Sequence, residues 1–250
     1  MKITRVAVIP DIHAPKHHKK SVDAVFEFLK FYKPKLCIQL GDWCDYSSLS
    51  RFAMLKEDEL VGLRQEEGEA NDLLDRLDSI LPNGCEKVMC EGNHDRRPET
   101  YNLGNFTGDM KKITGKKNLD LFHEAYNLKK RGWSWVGEGR CFEFGKALFT
   151  HGWFINSFHA KKTVSKFFKT IIYGHTHSYQ THCINGMDGL PVAGMSIGTL
   201  SRFDLGYLHG VPQDWCNMFM TMDFFGNGFF TAHPIPIIKG QFCKMDRVWG

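Results

Sequence analysis

Residues 87–97 read KVMCEGNHDRR, a stretch in which an apolar strand pattern ends in a turn crowded with polar groups. Gly92 lets the backbone turn without the steric penalty of a Cβ atom. An amide, an imidazole, a carboxylate and two guanidinium groups then follow from Asn93 to Arg97. Because ligands bind at the carboxyl ends of strands in open α/β sheets, the stretch predicts a strand that leads into an active-site loop. Gly-Asn is also an ordinary turn dipeptide, so the loop alone does not decide the function.

The same pattern occurs twice upstream of this stretch. Apolar residues 3–9 form a strand pattern before Asp11-Ile12-His13, and residues 36–40 form another before Gly41-Asp42. Apolar stripes at helical spacing separate the three strands: one over 21–32, with Ser21 as its expected cap, and one over 57–81. The order strand, helix, strand, helix, strand predicts an α/β fold. On an extended segment, Asp11 and His13 would point to the same side.

The second half of the chain predicts more strands. After a helical pattern at 118–131, residues 133–136, 141–144 and 147–150 have strand patterns that suggest a second sheet. The last of these ends at His151, and an apolar run over 166–173 ends at Gly174-His175-Thr176-His177. Turn residues at 185–189 and 226–228 predict hairpins in a strand-rich C-terminal part. The polar excursion at 98–117 fits a cap, a lid or a plain surface segment.

Size and composition predict one soluble domain over residues 1–250. The formal charge of +4 permits anionic ligands but is well below the excess that by itself indicates nucleic-acid binding. The eight cysteines show no Cys-x-x-Cys spacing, so neither a disulfide framework nor a zinc knot is expected. No apolar segment reaches the length of a membrane span. We therefore expect a reduced, cytoplasmic protein that does not contact a membrane; the sequence leaves its oligomeric state open.

Carboxylate, amide and imidazole groups follow five of the predicted strands. They are Asp11, His13, Asp42, Asn93, His151, His175 and His177. A lone histidine after a strand is more often a satisfied polar group, whereas the pair 175/177 after a glycine is typical of a metal site. The set suits borderline or hard divalent ions, and seven ligands are too many for one ion. Two ions that share one carboxylate are the economical arrangement. Asp45 is either a helix cap or a carboxylate that orients a ligand.

These motifs resemble the calcineurin-like metallophosphoesterase family in their order and context. The family pattern Asp-x-His, Gly-Asp-x-x-Asp, Gly-Asn-His-Asp/Glu, His and Gly-His-x-His stands here as Asp11-Ile12-His13, Gly41-Asp42-Trp43-Cys44-Asp45, Gly92-Asn93-His94-Asp95, His151 and Gly174-His175-Thr176-His177. The resemblance covers residues 11–177. The spacing and the aromatic C-terminal part also resemble phage-encoded members.

The resemblance implies a four-layer α-β-β-α sandwich, an α/β fold of two mixed sheets flanked by helices, with the site at the sheet edge. It assigns Asp11, His13 and His177 to one ion, Asn93, His151 and His175 to the other, and Asp42 to both. Manganese is the first choice of metal, with iron, zinc, nickel or magnesium as alternatives. It further implies that His94 lies near the leaving-group oxygen, where Asp95 fixes its tautomer and orientation.

The implied activity is hydrolysis of a phosphoester by in-line attack of a metal-bridging hydroxide. Arg96 and Arg97 either clamp a substrate phosphate or form structural ion pairs. Relatives that act on phosphoproteins carry arginine where Tyr46 stands here, so a phosphodiester of a nucleotide or nucleic acid is favoured over a phosphomonoester. The basic stretch Lys16–Lys20 agrees with an anionic substrate. The alternatives are a phosphatase for protein or small-molecule monoesters, and an inactive binding scaffold.

Overall fold

Two β-sheets face each other in the computed structural model, which describes residues 2–50, 61–105, 124–208 and 210–250. The strands are β1 (Thr4–Ile9), β2 (Leu36–Gln39), β3 (Glu86–Cys90), β4 (Trp133–Val136), β5 (Phe142–Phe144), β6 (Ala147–Thr150), β7 (Thr170–Tyr173), β8 (Tyr179–Asn185), β9 (Pro191–Ile197), β10 (Met218–Phe225), β11 (Phe229–Pro236), β12 (Phe242–Lys244) and β13 (Arg247–Trp249). The helices are α1 (Lys19–Tyr32), α2 (Leu63–Ile80), α3 (Arg97–Asn105) and α4 (His159–Phe167), with 3-10 turns at Ser47–Leu49 and Gly206–Leu208. No helix within the described ranges is long and apolar enough to cross a membrane.

Both large sheets are mixed. The first has the strand order β11-β10-β1-β2-β3-β4, in which β1 to β4 are parallel and β10 and β11 are antiparallel additions. The second has the order β5-β6-β7-β9-β8, with β6, β7 and β9 parallel. The predicted hairpins at 185–189 and 226–228 join β8 to β9 and β10 to β11.

Alternation along β1 divides the core into two layers. Val6 and Val8 point between the sheets, where they belong to one apolar cluster with Phe149 and Ile172. Ala7 and Ile9 belong to the cluster under α1 and α2, which bury their apolar stripes on the outer face of the first sheet. The sequence therefore supplies two buried faces for every central strand, as parallel sheets require.

Helix α4 covers the second sheet and completes the four-layer sandwich. Gly194 in β9 permits this contact, because a Cβ atom there would press against the carbonyl oxygen of Ala160 in α4. Ala160 and Val164 are fully buried at this interface. The predicted fold class, a sandwich of two mixed sheets flanked by helices, is confirmed.

Two predicted elements differ in the structure. Residues 133–136 form β4 in the first sheet, paired in parallel with β3, and the second sheet begins only at β5. Strand alternation does not reveal which sheet a strand joins. The apolar run at 166–173 contains the last two residues of α4 and then all of β7. Periodicity alone does not separate a short apolar helix end from the strand that follows it.

Helix boundaries differ as well. Helix α1 begins three residues earlier than the predicted cap Ser21 implies, and its cap is His18, whose Nδ1 accepts from the backbone N–H of Ser21 at 3.3 Å. The Ser21 hydroxyl instead donates to the Asn217 side chain at 3.1 Å. Residues 98–105 of the predicted excursion lie in α3, whereas 106–117 lie outside the described residues. In the predicted helix 118–131, the described residues 126–131 form turns.

Candidate metal centre

The loops that carry the predicted ligands meet at one edge of the two sheets. Strands β1, β2 and β3 are parallel neighbours, so Asp11, Asp42 and Asn93 leave the first sheet at the same edge. Strands β6 and β7 are parallel neighbours in the second sheet and deliver His151 and His175. Cross-sheet hydrogen bonds fix the two halves together: the His175 backbone N–H donates to Asp11 Oδ2 at 2.9 Å, and His151 Nδ1 lies 3.0 Å from the Leu40 carbonyl oxygen.

The first ligand group contains Asp11, His13 and His177. His177 Nε2 lies 3.2 Å from Asp11 Oδ2 and 2.9 Å from His13 Nε2. His13 Nε2 lies 3.9 Å from Asp11 Oδ2. All three side chains are almost fully buried. The three ligands that the resemblance assigns to one ion therefore converge on one point.

The second ligand group contains Asn93, His151 and His175. His151 Nε2 lies 3.0 Å from Asn93 Oδ1 and 3.1 Å from His175 Nδ1. Asp42 stands between the groups, because its Oδ2 lies 3.3 Å from His151 Nε2 and 3.6 Å from His13 Nε2. This is the position that a carboxylate shared by two ions requires.

The chemistry of the donors fits divalent cations. Asp11, His13 and His177 could hold one ion, and Asp42, His151 and His175 could hold another, since the ligand atoms in each trio lie within 4.8 Å of one another. In both groups imidazole nitrogens face each other, as ligands of one cation do. The buried His177 Nδ1 has no hydrogen-bond partner within the described chain. Oxygen and imidazole donors without thiolates suit manganese, iron or zinc.

Electrostatics in this cluster keep the carboxylates ionised. Burial alone would raise the pKa of Asp11, but the nearby histidines, led by His151, lower it below its ordinary value. The pKa of Asp42 is lowered in the same way, with His151 again opposing the effect of burial. Conversely, burial would lower the pKa of His13, but the carboxylates of Asp11, Asp45 and Asp42 raise it to about 10. Asp11 and Asp42 are therefore held in their negative form inside a buried cluster.

Left-handed backbone conformations aim four of the seven predicted ligands. The φ angles are 54° at His13, 52° at Asp42, 69° at His175 and 59° at His177. Such angles are uncommon outside glycine and cluster at functional sites. The expectation that Asp11 and His13 converge through an extended segment is thus wrong. They converge because the backbone turns left-handed after the strand.

Two glycines make room for the ligand carboxylates. A Cβ atom on Gly92 would collide with Asp42 Oδ1, and one on Gly174 would collide with Asp11 Oδ1. Neither residue has a positive φ angle, so close approach rather than turn geometry requires glycine at both positions.

Asp95 joins two loops and does not orient His94. Its carboxylate accepts hydrogen bonds from the backbone N–H groups of Asp42 at 2.7 Å, Trp43 at 3.0 Å, Gly92 at 3.0 Å and Cys44 at 3.3 Å. Burial, followed by the charge of Asp42, raises the pKa of Asp95 to about 7. The predicted contact between Asp95 and the His94 ring is wrong, because both carboxylate oxygens are engaged by backbone donors.

Asp45 is the carboxylate that orients the histidines. Asp45 Oδ1 lies 3.0 Å from His13 Nδ1 and 2.9 Å from His94 Nδ1, and Oδ2 accepts from Lys16 Nζ at 3.0 Å. Burial would raise the pKa of Asp45, but His13 and His94 hold it well below its ordinary value. Of the two interpretations of Asp45, helix cap or orienting residue, the geometry supports the second, since Tyr46 precedes the 3-10 turn.

The two arginines of the loop have different surroundings. Arg96 pairs with Glu138 and lies 3.6 Å from Glu99, which is the structural ion pairing considered as its alternative role. Arg97 donates to the Asp45 carbonyl oxygen at 2.8 Å, and its Nη2 lies 3.0 Å from His94 Nε2. Only Arg97 therefore touches the residues of the centre.

Sequence reasoning missed the aromatic neighbour of the centre. The Trp215 ring packs edge to face on His177, with ring centroids 4.2 Å apart and planes at 75°. Trp215 lies 38 residues after His177 and belongs to no ligand motif, so no local signal marked it. Lys16 was marked only as part of a basic stretch.

Comparisons with known proteins agree with this geometry. The family model described as calcineurin-like phosphoesterase matches residues 4–179, which include all seven predicted ligands. The gene 54 proteins of Mycobacterium phages L5 and D29 are 26% and 27% identical over 264 aligned residues, with 98% of this chain and 98% of each relative covered. The structure of vacuolar protein sorting 29 from Cryptosporidium parvum shares the fold. It has a TM-score of 0.50 at 14% identity and covers 98% of this chain and 94% of that one.

Proposed function

The chain belongs to the calcineurin-like phosphoesterase family, and on that premise we propose that it is a phosphoesterase dependent on two divalent ions, with manganese the first choice. The observation that carries the proposal is the position of Asp42 Oδ2, between His13 Nε2 at 3.6 Å and His151 Nε2 at 3.3 Å. A fold can serve several functions, and a protein named for vacuolar sorting shares this one. The complete ligand set, rather than the fold, supports hydrolysis.

The residues divide between two metal positions. Asp11, His13 and His177 would hold one ion, Asn93, His151 and His175 the other, and Asp42 both. When bound, such a pair of ions activates a water molecule for in-line attack and neutralises the charge on the phosphoryl oxygens. The left-handed backbone and the Asp45 carboxylate keep the imidazoles in place before any ion arrives.

His94 is the proposed proton donor to the leaving group. Its Nδ1 is held by Asp45, which leaves Nε2 as the nitrogen that can deliver a proton. Arg97 can only donate hydrogen bonds, so its contact with Nε2 requires a neutral His94 ring. When Nε2 carries a proton, Arg97 must turn away, and a substrate phosphate is the acceptor that it would meet. The two residues thereby couple substrate binding to protonation of the leaving oxygen.

A phosphodiester in a nucleotide or nucleic acid is the favoured substrate. Tyr46, which stands at the position of the phosphoprotein-phosphatase arginine, is buried, and its hydroxyl lies 3.3 Å from that of Tyr126. The basic stretch at Lys16–Lys20 lines a cavity of about 420 Å³ together with Arg202. Lys16 connects this cavity to the centre, since its ammonium group contacts Asp45. An anionic chain that continues beyond the scissile phosphate would meet Lys19, Lys20 and Arg202, whereas Lys16 is buried against Asp45.

The test compares diesters with monoesters on one preparation. The protein is stripped with a chelator, reloaded with manganese, and assayed on bis-p-nitrophenyl phosphate, p-nitrophenyl phosphate, single-stranded DNA, RNA and a phosphopeptide. We expect two manganese ions per chain, activity only after reloading, and higher kcat/KM for a diester. A kcat/KM for a monoester or phosphopeptide above that of every diester contradicts the substrate class. Metal binding without hydrolysis of any ester would favour the binding scaffold.

A further inference from the structure

An apolar pocket of about 550 Å³ lies against the first ligand group. Its lining includes Phe203, Leu205, Leu208, Val211, Pro212 and Trp215. Trp215 forms the wall shared with the metal centre, because its ring packs against the ring of His177. A molecule held by the ions through its phosphate would therefore have this pocket beside it.

Backbone contacts fix the shared wall in place. Trp215 forms an antiparallel bridge with Ser178, and the backbone N–H of Cys216 donates to the His177 carbonyl oxygen at 3.0 Å. The Phe203 ring lies 6.3 Å from the Trp215 ring, with the planes at 74°. Phe203 is 46% exposed and lines the pocket, so part of its side chain is accessible to a ligand.

Charge on the neighbouring side favours an anionic ligand that also has a flat ring. Arg202, directly before Phe203, lines the basic cavity with Lys19 and Lys20, whereas Phe203 lines the apolar pocket. At the pocket itself Gln213 supplies an amide, and the exposed Asp204 carboxylate lies 3.6 Å from Arg202 Nε, where it offsets part of that positive charge. Apolar walls with a few polar groups, next to a phosphate site and a basic cavity, match the parts of a nucleotide.

We propose that the pocket of Phe203 and Trp215 binds the nucleobase of a nucleotidyl substrate whose phosphate lies at the metal centre. This inference rests on the proposed phosphoesterase function and adds the place where the base of a nucleotidyl substrate binds. Aromatic side chains stack on every base, so the pocket selects nucleotides over simple phosphate esters with little preference among bases. In such a substrate the nucleoside that carries the base remains esterified to the phosphate, and the other alcohol or phenol leaves.

The test uses two diesters with the same leaving group: the p-nitrophenyl ester of thymidine monophosphate, and methyl p-nitrophenyl phosphate. We expect the wild type to prefer the nucleotide ester by about tenfold or more in kcat/KM. Phe203→Ala should lose that preference and leave the rate on the methyl ester unchanged. Phe203 touches no predicted ligand directly, whereas substitution of Trp215 would also disturb His177.

The matched control is Phe229→Ala. Phe229 is 38% exposed and begins β11, where it pairs with Phe225 at the end of β10. That end of β10 pairs with the start of β1, whereas the metal centre follows the end of β1. This variant should keep the preference for the nucleotide ester. Equal kcat/KM of the wild type for the two esters, or an equal loss on both in Phe203→Ala, overturns the inference.

A binding measurement separates this inference from the proposed function. Calorimetry with thymidine monophosphate should give at least several-fold weaker binding to Phe203→Ala than to the wild type, with Phe229→Ala unchanged. If neither diester is hydrolysed, the proposed diester hydrolysis fails, and the calorimetry still tests whether the pocket binds the base. Equal affinity of the wild type and Phe203→Ala overturns the inference in that case as well.

Discussion

The Asp95 carboxylate accepts a 2.7 Å hydrogen bond from the backbone N–H of Asp42, so one carboxylate holds the loop that presents the other. Asp95 lies on the loop after β3, and Asp42 on the loop after β2. The same Asp95 oxygen also accepts from the Gly92 backbone N–H at 3.0 Å. The two loops are thus locked to each other before any ion binds.

Asp95→Asn should therefore destabilise the protein although it removes none of the predicted ligand side chains. An amide offers one acceptor oxygen, and its NH2 group would face backbone N–H donors. We expect a loss of about 2–4 kcal/mol in the free energy of unfolding, because the buried network of four backbone hydrogen bonds to this side chain loses one of its two acceptor oxygens. A urea titration of the wild type and the variant measures this loss in the free energy of unfolding. Glu67→Gln, on a half-buried side chain of α2, is the control. An unchanged midpoint in Asp95→Asn would contradict the role of Asp95.

The seven candidate ligands could be identified from the sequence because strand ends are local features. Asp11 and Asp42 follow the parallel neighbours β1 and β2, whereas His151 follows β6 in the facing sheet. Which carboxylate serves His94 was not predictable in the same way. Asp95 is its chain neighbour, yet Asp45, 49 residues away, makes the contact, since the choice depends on how two loops pack. Local patterns contain no information about that packing.

Gly92→Ala tests close packing around the bridging carboxylate. A Cβ atom at Gly92 would collide with Asp42 Oδ1, so the carboxylate must move out of its position between the two ligand groups. We expect metal content to fall below one ion per chain. Gly68→Ala is the control, because a Cβ atom there meets nothing within 4 Å and lies within a helix, where alanine should add about 0.5–1 kcal/mol. Full metal occupancy in Gly92→Ala would show that the loop relaxes around the methyl group.

His94→Asn should separate chemistry from metal binding. His13, Asp45 and His94 form a third trio within 4.8 Å, but there Asp45 Oδ1 contacts Nδ1 of both histidines. The variant should therefore retain its metal, whereas Asp42→Asn should lose metal and activity together. The rate should fall about 10²–10⁴-fold on alkyl esters, whose leaving groups need a proton, and much less on p-nitrophenyl esters. Steady-state kinetics with matched metal content measure both. Equal losses on the two ester types would exclude His94 as the proton donor.

Removal of cations from the basic cavity should change how binding responds to salt. Lys19 is exposed and lines this cavity with Arg202. The double variant Lys19→Gln/Arg202→Gln should bind single-stranded DNA more weakly, and the slope of log K against log salt should fall by about 0.7 per phosphate contact removed. Fluorescence anisotropy at several salt concentrations measures the slope. Lys30→Gln, on an exposed position near the opposite end of α1, should leave it unchanged. An unchanged slope in the double variant would show that DNA does not reach the cavity.

His17 should make the folded protein sensitive to mild acid. Burial, with the charge of Lys19 as the next cause, lowers the pKa of His17 to about 4, although Glu69 and Asp23 act in the opposite direction and Arg76 adds to the lowering. In the unfolded chain His17 takes up a proton near pH 6.5, whereas in the folded protein it does so only near pH 4. Between these pH values the unfolded state binds more protons than the folded state. The free energy of unfolding therefore falls as the pH falls through that range. At pH 5 the expected loss is about 2 kcal/mol.

Urea unfolding of the metal-free wild type and of His17→Gln, each at pH 7.5 and pH 5, measures this loss in the free energy of unfolding. The variant should lose about 2 kcal/mol less than the wild type, and equal losses in the two proteins would show that His17 is protonated as readily in the fold as in the unfolded chain.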